Sequence, residues 1–151
     1  MATKGKKKTR RKPARKAAAR RSAKKPGSSL DAFARRIVKL TNQPHAALRE
    51  LYAENCTSIE ASGNTVTGMA GLEAKLEQWE QMQSGTTWKA RNVWTGKNKI
   101  CIEWDAVVHL RDGRTVKLSE IAIHELKGGK IAAERFYYNP GAFAPPAGGA
   151  S

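Results

Sequence analysis

Apolar residues recur at helical spacing in three stretches of this chain before giving way to strand-like alternation in its second half. Leu30, Phe33, Ile37 and Leu40 fall at i, i+3, i+7 and i+10, one stripe of a helix that Ser28 or Ser29 caps and that closes near Asn42. Pro44 suits the first turn of a second, short helix, whose Ala47, Leu48, Leu51 and Tyr52 form the next stripe. Cys56 to Ala61 predicts a strand, Gly63-Asn64 a turn, and Thr65 to Thr67 a short return strand. Gly68 opens a third helix in which Met69, Leu72, Leu76 and Trp79 keep helical spacing, with Lys75 on the side of Leu72 and Trp79; Gly85 ends it or follows closely.

From Thr86 onward the pattern predicts strands over Thr86 to Thr95, Lys99 to Leu110, Thr115 to Leu126 and Lys130 to Asn139, a four-stranded antiparallel meander. Gly96 to Asn98, Asp112-Gly113 and Gly128-Gly129 are its turns, the last two being two-residue hairpin signals. With Asp112-Gly113 as a two-residue turn, Asp105 stands opposite Glu120, Cys101 opposite His124 and Trp104 opposite Ile121; with Gly128-Gly129, Ile123 faces Glu134 and Ile121 faces Phe136. One face then carries Ile100, Ile102, Trp104, Ala106, Val108, Ile121, Ile123 and Phe136 with Ser119, Glu134 and Tyr138, and meets the helices. The other carries Glu103, Asp105, His109, Glu120, His124, Arg135 and Tyr137 among Val107, Leu118 and Ala122, and is solvated or half of a homodimer interface. The expected architecture is α+β, with helices covering one face of a curved sheet. The Gly-, Ala- and Pro-rich segment 141 to 151 reads as a flexible end.

Charge adds a separate element. Residues 1 to 29 contain thirteen Lys or Arg and no acid, while the whole chain is formally +15, so nearly all of the imbalance sits in a Lys/Arg-rich tail. That tail holds no Leu, Ile, Val or aromatic residue, so it buries too little to offset chain entropy and is expected to be disordered. Lys6, Lys7, Lys8, Arg10, Arg11, Lys12, Arg15, Lys16, Arg20, Arg21, Lys24 and Lys25 suit salt-dependent, sequence-independent contact with DNA or RNA. A solubilising extension and a localisation signal remain open as other readings. Cys56 and Cys101 lack both disulfide and metal-ligand patterning, which fits a reduced, cytoplasmic setting, with nucleoid association if the tail meets DNA. No apolar run has membrane-span length, so no membrane partner is expected.

Several local strings carry a family resemblance: Tyr52-Ala-Glu-Asn-Cys-Thr-Ser-Ile-Glu60, the helix with Lys75 and Trp79, Leu118-Ser-Glu120-Ile121, and Gly129-Lys-Ile-Ala-Ala-Glu134-Arg-Phe-Tyr-Tyr138. Together they resemble SnoaL-like domains of the nuclear transport factor 2 superfamily over residues 30 to 140. The resemblance implies a cone-shaped fold in which three N-terminal helices cover a curved antiparallel sheet. It also implies one of many functions, from isomerases, cyclases and hydrolases to non-catalytic binders. Compared with ketosteroid isomerases of that superfamily, the general base falls on Glu60, the oxyanion-binding Tyr on Arg36, and the second, protonated acid near Ile121 to Ile123, where no acid stands. In the same comparison Glu134, Phe136 and Tyr138 fall on cavity positions. The Asp-Arg-Asp arrangement of limonene epoxide hydrolases finds a counterpart in Asp105, Glu120 and Arg135, on the opposite face.

Two function classes follow. In the first, a pocket lined by Lys75, Trp79, Trp104, Ile121, Phe136 and Tyr138 binds a small, largely apolar molecule, and Glu60 and Glu134 perform cofactor-free acid/base chemistry. Desolvation of Glu60 would raise its pKa toward that of a useful base. The competing view of Glu60, Lys75 and Glu134 is a set of buried structural ion pairs. Likewise Asp105 and Glu120 form either a proton-sharing dyad or a network held by Arg91 or Arg135. In the second class, the tail grips nucleic acid and the domain is a non-catalytic dimerisation scaffold. No metal-ligand cluster, phosphate loop or dinucleotide fingerprint appears, so no cofactor is expected.

Overall fold

The structure, a computed structural model, describes residues 29–148. The cationic tail and its proposed nucleic-acid contacts from Lys6 to Lys25 therefore lie outside the described residues, as does Ser28.

Helix α1 spans Ser29–Thr41, with Asp31 in its first turn and Lys39 in its last, each at the end where the helix dipole favours its charge. It buries Ile37 from the expected stripe and Ala34 beside it. Pro44 immediately precedes α2, His45–Arg49, a single turn. Leu51 and Tyr52 do not continue that helix. Leu51 is fully buried and its carbonyl accepts from the Ile131 amide at 2.8 Å, which draws the chain into strand β1, Tyr52–Ile59, earlier than the apolar pattern suggests. Strand β2, Thr65–Thr67, returns antiparallel to β1 and leads into α3, Gly68–Met82. Gly68 has φ +76, a left-handed conformation that marks the sharp change from strand to helix.

No loop follows α3. Strand β3, Gln83–Gly96, begins directly, and Gly85 follows the helix closely, inside the strand at a bulge. Strands β4, Lys99–Leu110, β5, Thr115–Lys127, and β6, Lys130–Tyr137, complete a six-stranded sheet in the order β2-β1-β6-β5-β4-β3. The sheet is mixed, not antiparallel throughout, because β1 pairs parallel with β6 through Ser58–Glu134 and Ile59–Arg135. Pro140–Phe143, within the end expected to fray, forms a 3₁₀ turn: Asn139 caps it, Arg114 donates to the carbonyls of Phe143 and Ala144, and Phe143 packs against Trp79 and Tyr138.

The β4–β5 register differs from expectation by one residue. The Leu110 amide donates to the Arg114 carbonyl at 2.8 Å, so the connection is the three-residue loop Arg111-Asp112-Gly113, with Gly113 at φ +90, and not a two-residue turn. Asp105 therefore faces Ser119, and Trp104 faces Glu120. Because side chains alternate with a period of two, this slip exchanges the two faces of β5. Val116, Leu118, Glu120, Ala122 and His124 are buried on the inner face, while Ile121 is 37 % exposed on the outer one. Gly128-Gly129 is the expected two-residue turn, pairing Lys127 with Lys130, but a bulge between Glu125 and Leu126 then shifts the β5–β6 register by one. His124 faces Glu134, and Ala122 faces Phe136. The second slip undoes the first for β6, which is why Glu134, Phe136 and Tyr138 remain on the expected face.

Candidate functional site

Three tryptophans and a chain of aliphatic side chains do not fill the space between the inner face of β4, β5 and β6 and the helices. A cavity of about 470 Å³ remains, walled by Ile37, Leu48, Leu72, Leu76, Trp79, Trp88, Trp104, Leu118, Phe136 and Phe143. Among the expected site residues, Glu60, Lys75, Trp79, Trp104, Glu134, Phe136 and Tyr138 all line this space. Ile121 does not, because the β5 register turns it outward. The Asp105–Glu120–Arg135 grouping is dissolved by the same register: Asp105 lies on the outer face, accepting from the Ser119 hydroxyl at 3.2 Å and lying 3.4 Å from Arg91.

A polar group is built into one side of this apolar space. Glu60 stands just past the end of β1, held there by its amide donating to the Asn64 carbonyl. Helix α3 projects Lys75 onto it as a direct ion pair with Oε1, and the Tyr138 hydroxyl donates to Oε2 at 2.9 Å. Burial, then the charge of Glu60 and this hydrogen bond, push the Tyr138 pKa well up, so its hydroxyl keeps its proton and remains a donor. Lys75 also donates to Ser58 Oγ at 2.7 Å, lies 3.7 Å from Glu134 Oε1 and sits 4.3 Å above the Phe136 ring.

Glu134 is buried on β6 and is saturated with donors. Ser58 Oγ reaches its Oε1 at 2.7 Å and the Tyr52 hydroxyl its Oε2 at 2.8 Å. His124 Nδ1 lies 3.2 Å from Oε2, close enough to act through its charge but out of line for a hydrogen bond, and both ring nitrogens otherwise lack partners. Burial works to raise the Glu134 pKa, but His124, Lys75 and the Ser58 hydroxyl more than offset it and hold the carboxyl below its ordinary range. Tyr52 is shifted upward, first by its burial and then by the charge of Glu134.

Glu120 is the opposite case. It is 8 % exposed, lines the cavity, and has no hydrogen bond or ion pair to its carboxyl among the described residues. Burial, then the charge of Glu60, opposed by Lys75 and joined last by the charge of Glu134, push its pKa up to about 8. At neutral pH it is therefore a protonated acid facing an apolar chamber. Sequence reasoning placed Glu120 and His124 on the wrong face, although β5 contained the signal. Val116 and Leu118 alternate with Lys117 and Ser119 in one phase, and Ile121 and Ile123 in the other, and only the first phase agrees with burial. Tyr52 and Phe143 escape the sequence pattern as cavity residues because their local patterns suggest a helical stripe and a flexible end. Among the described residues no group of His, Cys, Asp and Glu is arranged to hold a metal ion.

The model of one family, the SnoaL-like domain, matches residues 30–134. No curated protein sequence matches the chain. Among solved structures, it is similar to a protein of ketosteroid isomerase-like fold from Catenulispora acidiphila DSM 44928, solved in complex with trimethylamine. That pair shares 16% identity over 73% of this chain and 87% of the other, with a TM-score of 0.66. TerC, co-crystallised with polyporic acid, shares 14% identity over 77% of this chain and 95% of its own, with a TM-score of 0.68. An NTF2-like protein of unknown function from Burkholderia pseudomallei K96243 shares 11% identity over 75% of this chain and 92% of its own, again with a TM-score of 0.68. At these identities the likeness is one of fold.

Proposed function

This chain belongs to the SnoaL-like domain family, and from that premise we propose that its cavity binds a small, largely apolar molecule and moves a proton on it without a cofactor, Glu120 being the group that carries the proton. The observation that carries this reading is an unpaired, buried carboxyl in the wall of a 470 Å³ apolar cavity. A structural carboxyl in that position would be paired, as Glu134 is; an unpaired one costs stability and is characteristic of a working site. A pKa near 8 lets the same group donate a proton at neutral pH and accept one when ionised.

Glu60, the residue on which the resemblance puts the base, is engaged by Lys75 and Tyr138, so its role here is to set the field at Glu120. The protonated acid that the ketosteroid isomerase comparison found missing near Ile121 has a counterpart one residue earlier, in Glu120. Solved relatives that hold trimethylamine and polyporic acid support the general point that this fold accommodates small molecules.

The test is deuterium incorporation from heavy water into the α-carbon of a small apolar ketone, 2-tetralone, followed by proton NMR. The wild-type protein accelerates exchange, with a rate that climbs as pH rises through about 8, and Glu120→Gln lowers it by at least about a hundredfold. Equal rates for the two proteins would sink the reading.

A further inference from the structure

One of the carboxyls that line the cavity has no cationic partner among the described residues. Three carboxyls face it, those of Glu60, Glu120 and Glu134, and among the described residues that line it Lys75 is the only lysine or arginine. Lys75 is committed to Glu60, with Glu134 3.7 Å away, and of the two histidines in the lining His124 lies 3.2 Å from Glu134 and His45 2.8 Å from Glu80, so none of these groups pairs with Glu120. Beside Glu120 runs a continuous aromatic wall. Trp104, its cross-strand partner, contacts Trp88 at 6.0 Å between ring centroids; Trp88 contacts Trp79 at 6.4 Å, Trp79 contacts Phe143 at 6.0 Å, and Phe143 contacts Tyr138 at 6.1 Å. All five rings line the cavity. Aromatic faces attract cations electrostatically, and a carboxyl without a counterion at the edge of such a wall completes the chemistry of an organic-cation site.

We propose that the ligand of this cavity is an organic cation, a small ammonium-bearing molecule with an apolar body, whose positive charge sits against Glu120 and the aromatic wall. This deepens the function proposed above and rests on the cavity being a small-molecule site. The groups that face Glu120 are Glu60 at the end of β1, Lys75 from α3, and Glu134 and Tyr138 from β6. Burial first, with the charges of Glu60 and Glu134 and against that of Lys75, keeps Glu120 protonated at neutral pH. An incoming cation reverses that balance: the O–H bond breaks, the electron pair stays on the carboxylate, and the proton leaves to solvent. Binding thus converts Glu120 from an acid into a base beside the carbon atoms next to the cationic nitrogen, which are themselves acidified by that charge.

The experiment uses the full chain and a pair of molecules of the same shape, benzyltrimethylammonium and its neutral counterpart neopentylbenzene, titrated calorimetrically at pH 7 in two buffers of different ionisation enthalpy. The cation binds at least tenfold more tightly. It releases about 0.9 proton per site, given a free-state pKa of about 8. Its affinity rises about tenfold per pH unit below that value and levels off above it. Glu120→Gln abolishes both the preference and the proton release, while unchanged binding of neopentylbenzene shows that the cavity has survived. Equal binding of the two molecules, or tight cation binding without proton release, overturns the cation assignment and leaves the acid/base reading standing. Failure of both molecules to bind overturns the small-molecule site as well.

Discussion

On the outer face of the sheet Arg91 lies 3.5 Å from Glu103 and 3.4 Å from Asp105, and Lys99 lies 3.1 Å from Glu125, with these side chains open to solvent. On the inner face Glu60 has Lys75 and Glu134 has His124 and Lys75 beside it, while Glu120 has no such partner among the described residues. The outer arrangement is the one water tolerates cheaply, since high dielectric makes both pairing and its absence of small consequence. The inner arrangement is costly where a desolvated carboxyl has no partner. Glu134 is stabilised as an anion by four donors or cations, while Glu120, on the neighbouring strand, stays protonated because none was supplied. Two glutamates in one cavity have thus been driven in opposite directions from the same starting pKa.

The strongest way to break this contrast is to remove the anion on which the inner network converges. Glu134→Leu leaves the Tyr52 and Ser58 hydroxyls without their acceptor and removes the anion beside His124 and Lys75, and an expected loss of about 3 to 5 kcal/mol is read from urea unfolding. The second largest effect comes from Glu120 and depends on pH. The folded protein keeps the Glu120 proton up to about pH 8, whereas the unfolded chain releases it near the ordinary glutamate value. The stability associated with that bound proton is therefore fully present below about pH 4.5 and lost as pH rises through about 8. Glu120→Gln removes the decline and is more stable than wild type at pH 9 by a few kcal/mol, measured by unfolding at a series of pH values. An unchanged pH profile in the variant would remove Glu120 from the account. Glu134 has the opposite sign, contributing above the ordinary glutamate range and losing its contribution as pH falls through its depressed value.

A smaller and sharper change tests the link between the two glutamates that share Lys75. Glu60→Gln removes the charge that, after burial, does most to raise the Glu120 pKa, and it frees Lys75. The Glu120 midpoint, followed by carbon-13 NMR of labelled glutamate, should fall by about one pH unit. The smallest effect belongs to the outer face, where Arg91→Ala should cost less than about 1 kcal/mol despite breaking two ion pairs.

Much of this was legible before the structure. The stripes of α1 and α3, the extents of β4 to β6, the turn at Gly128-Gly129, and the convergence of Glu60, Lys75, Trp79, Glu134 and Tyr138 follow from local spacing and from the family strings. Those features depend on near neighbours, which a sequence pattern records directly. The parallel pairing of β1 with β6 was not visible, because Leu51 and Tyr52 continue a helical stripe until the Ile131 amide claims the Leu51 carbonyl. Nor was the Phe143 contact, since Pro, Gly and Ala around it suggest a free end.

The amino-acid sequence by itself determined which side chains the chain has available for a pocket and the period at which they alternate. Only the tertiary structure decided the phase of that alternation on β5, through one extra residue in the Arg111-Asp112-Gly113 loop and a bulge after Glu125. Both phases of β5 carry apolar residues, so local hydrophobicity was balanced between them; packing against α1, α3 and the aromatic wall broke the tie. Because a strand repeats every two residues, that single choice moved Glu120 and His124 into the cavity and Ile121 out of it.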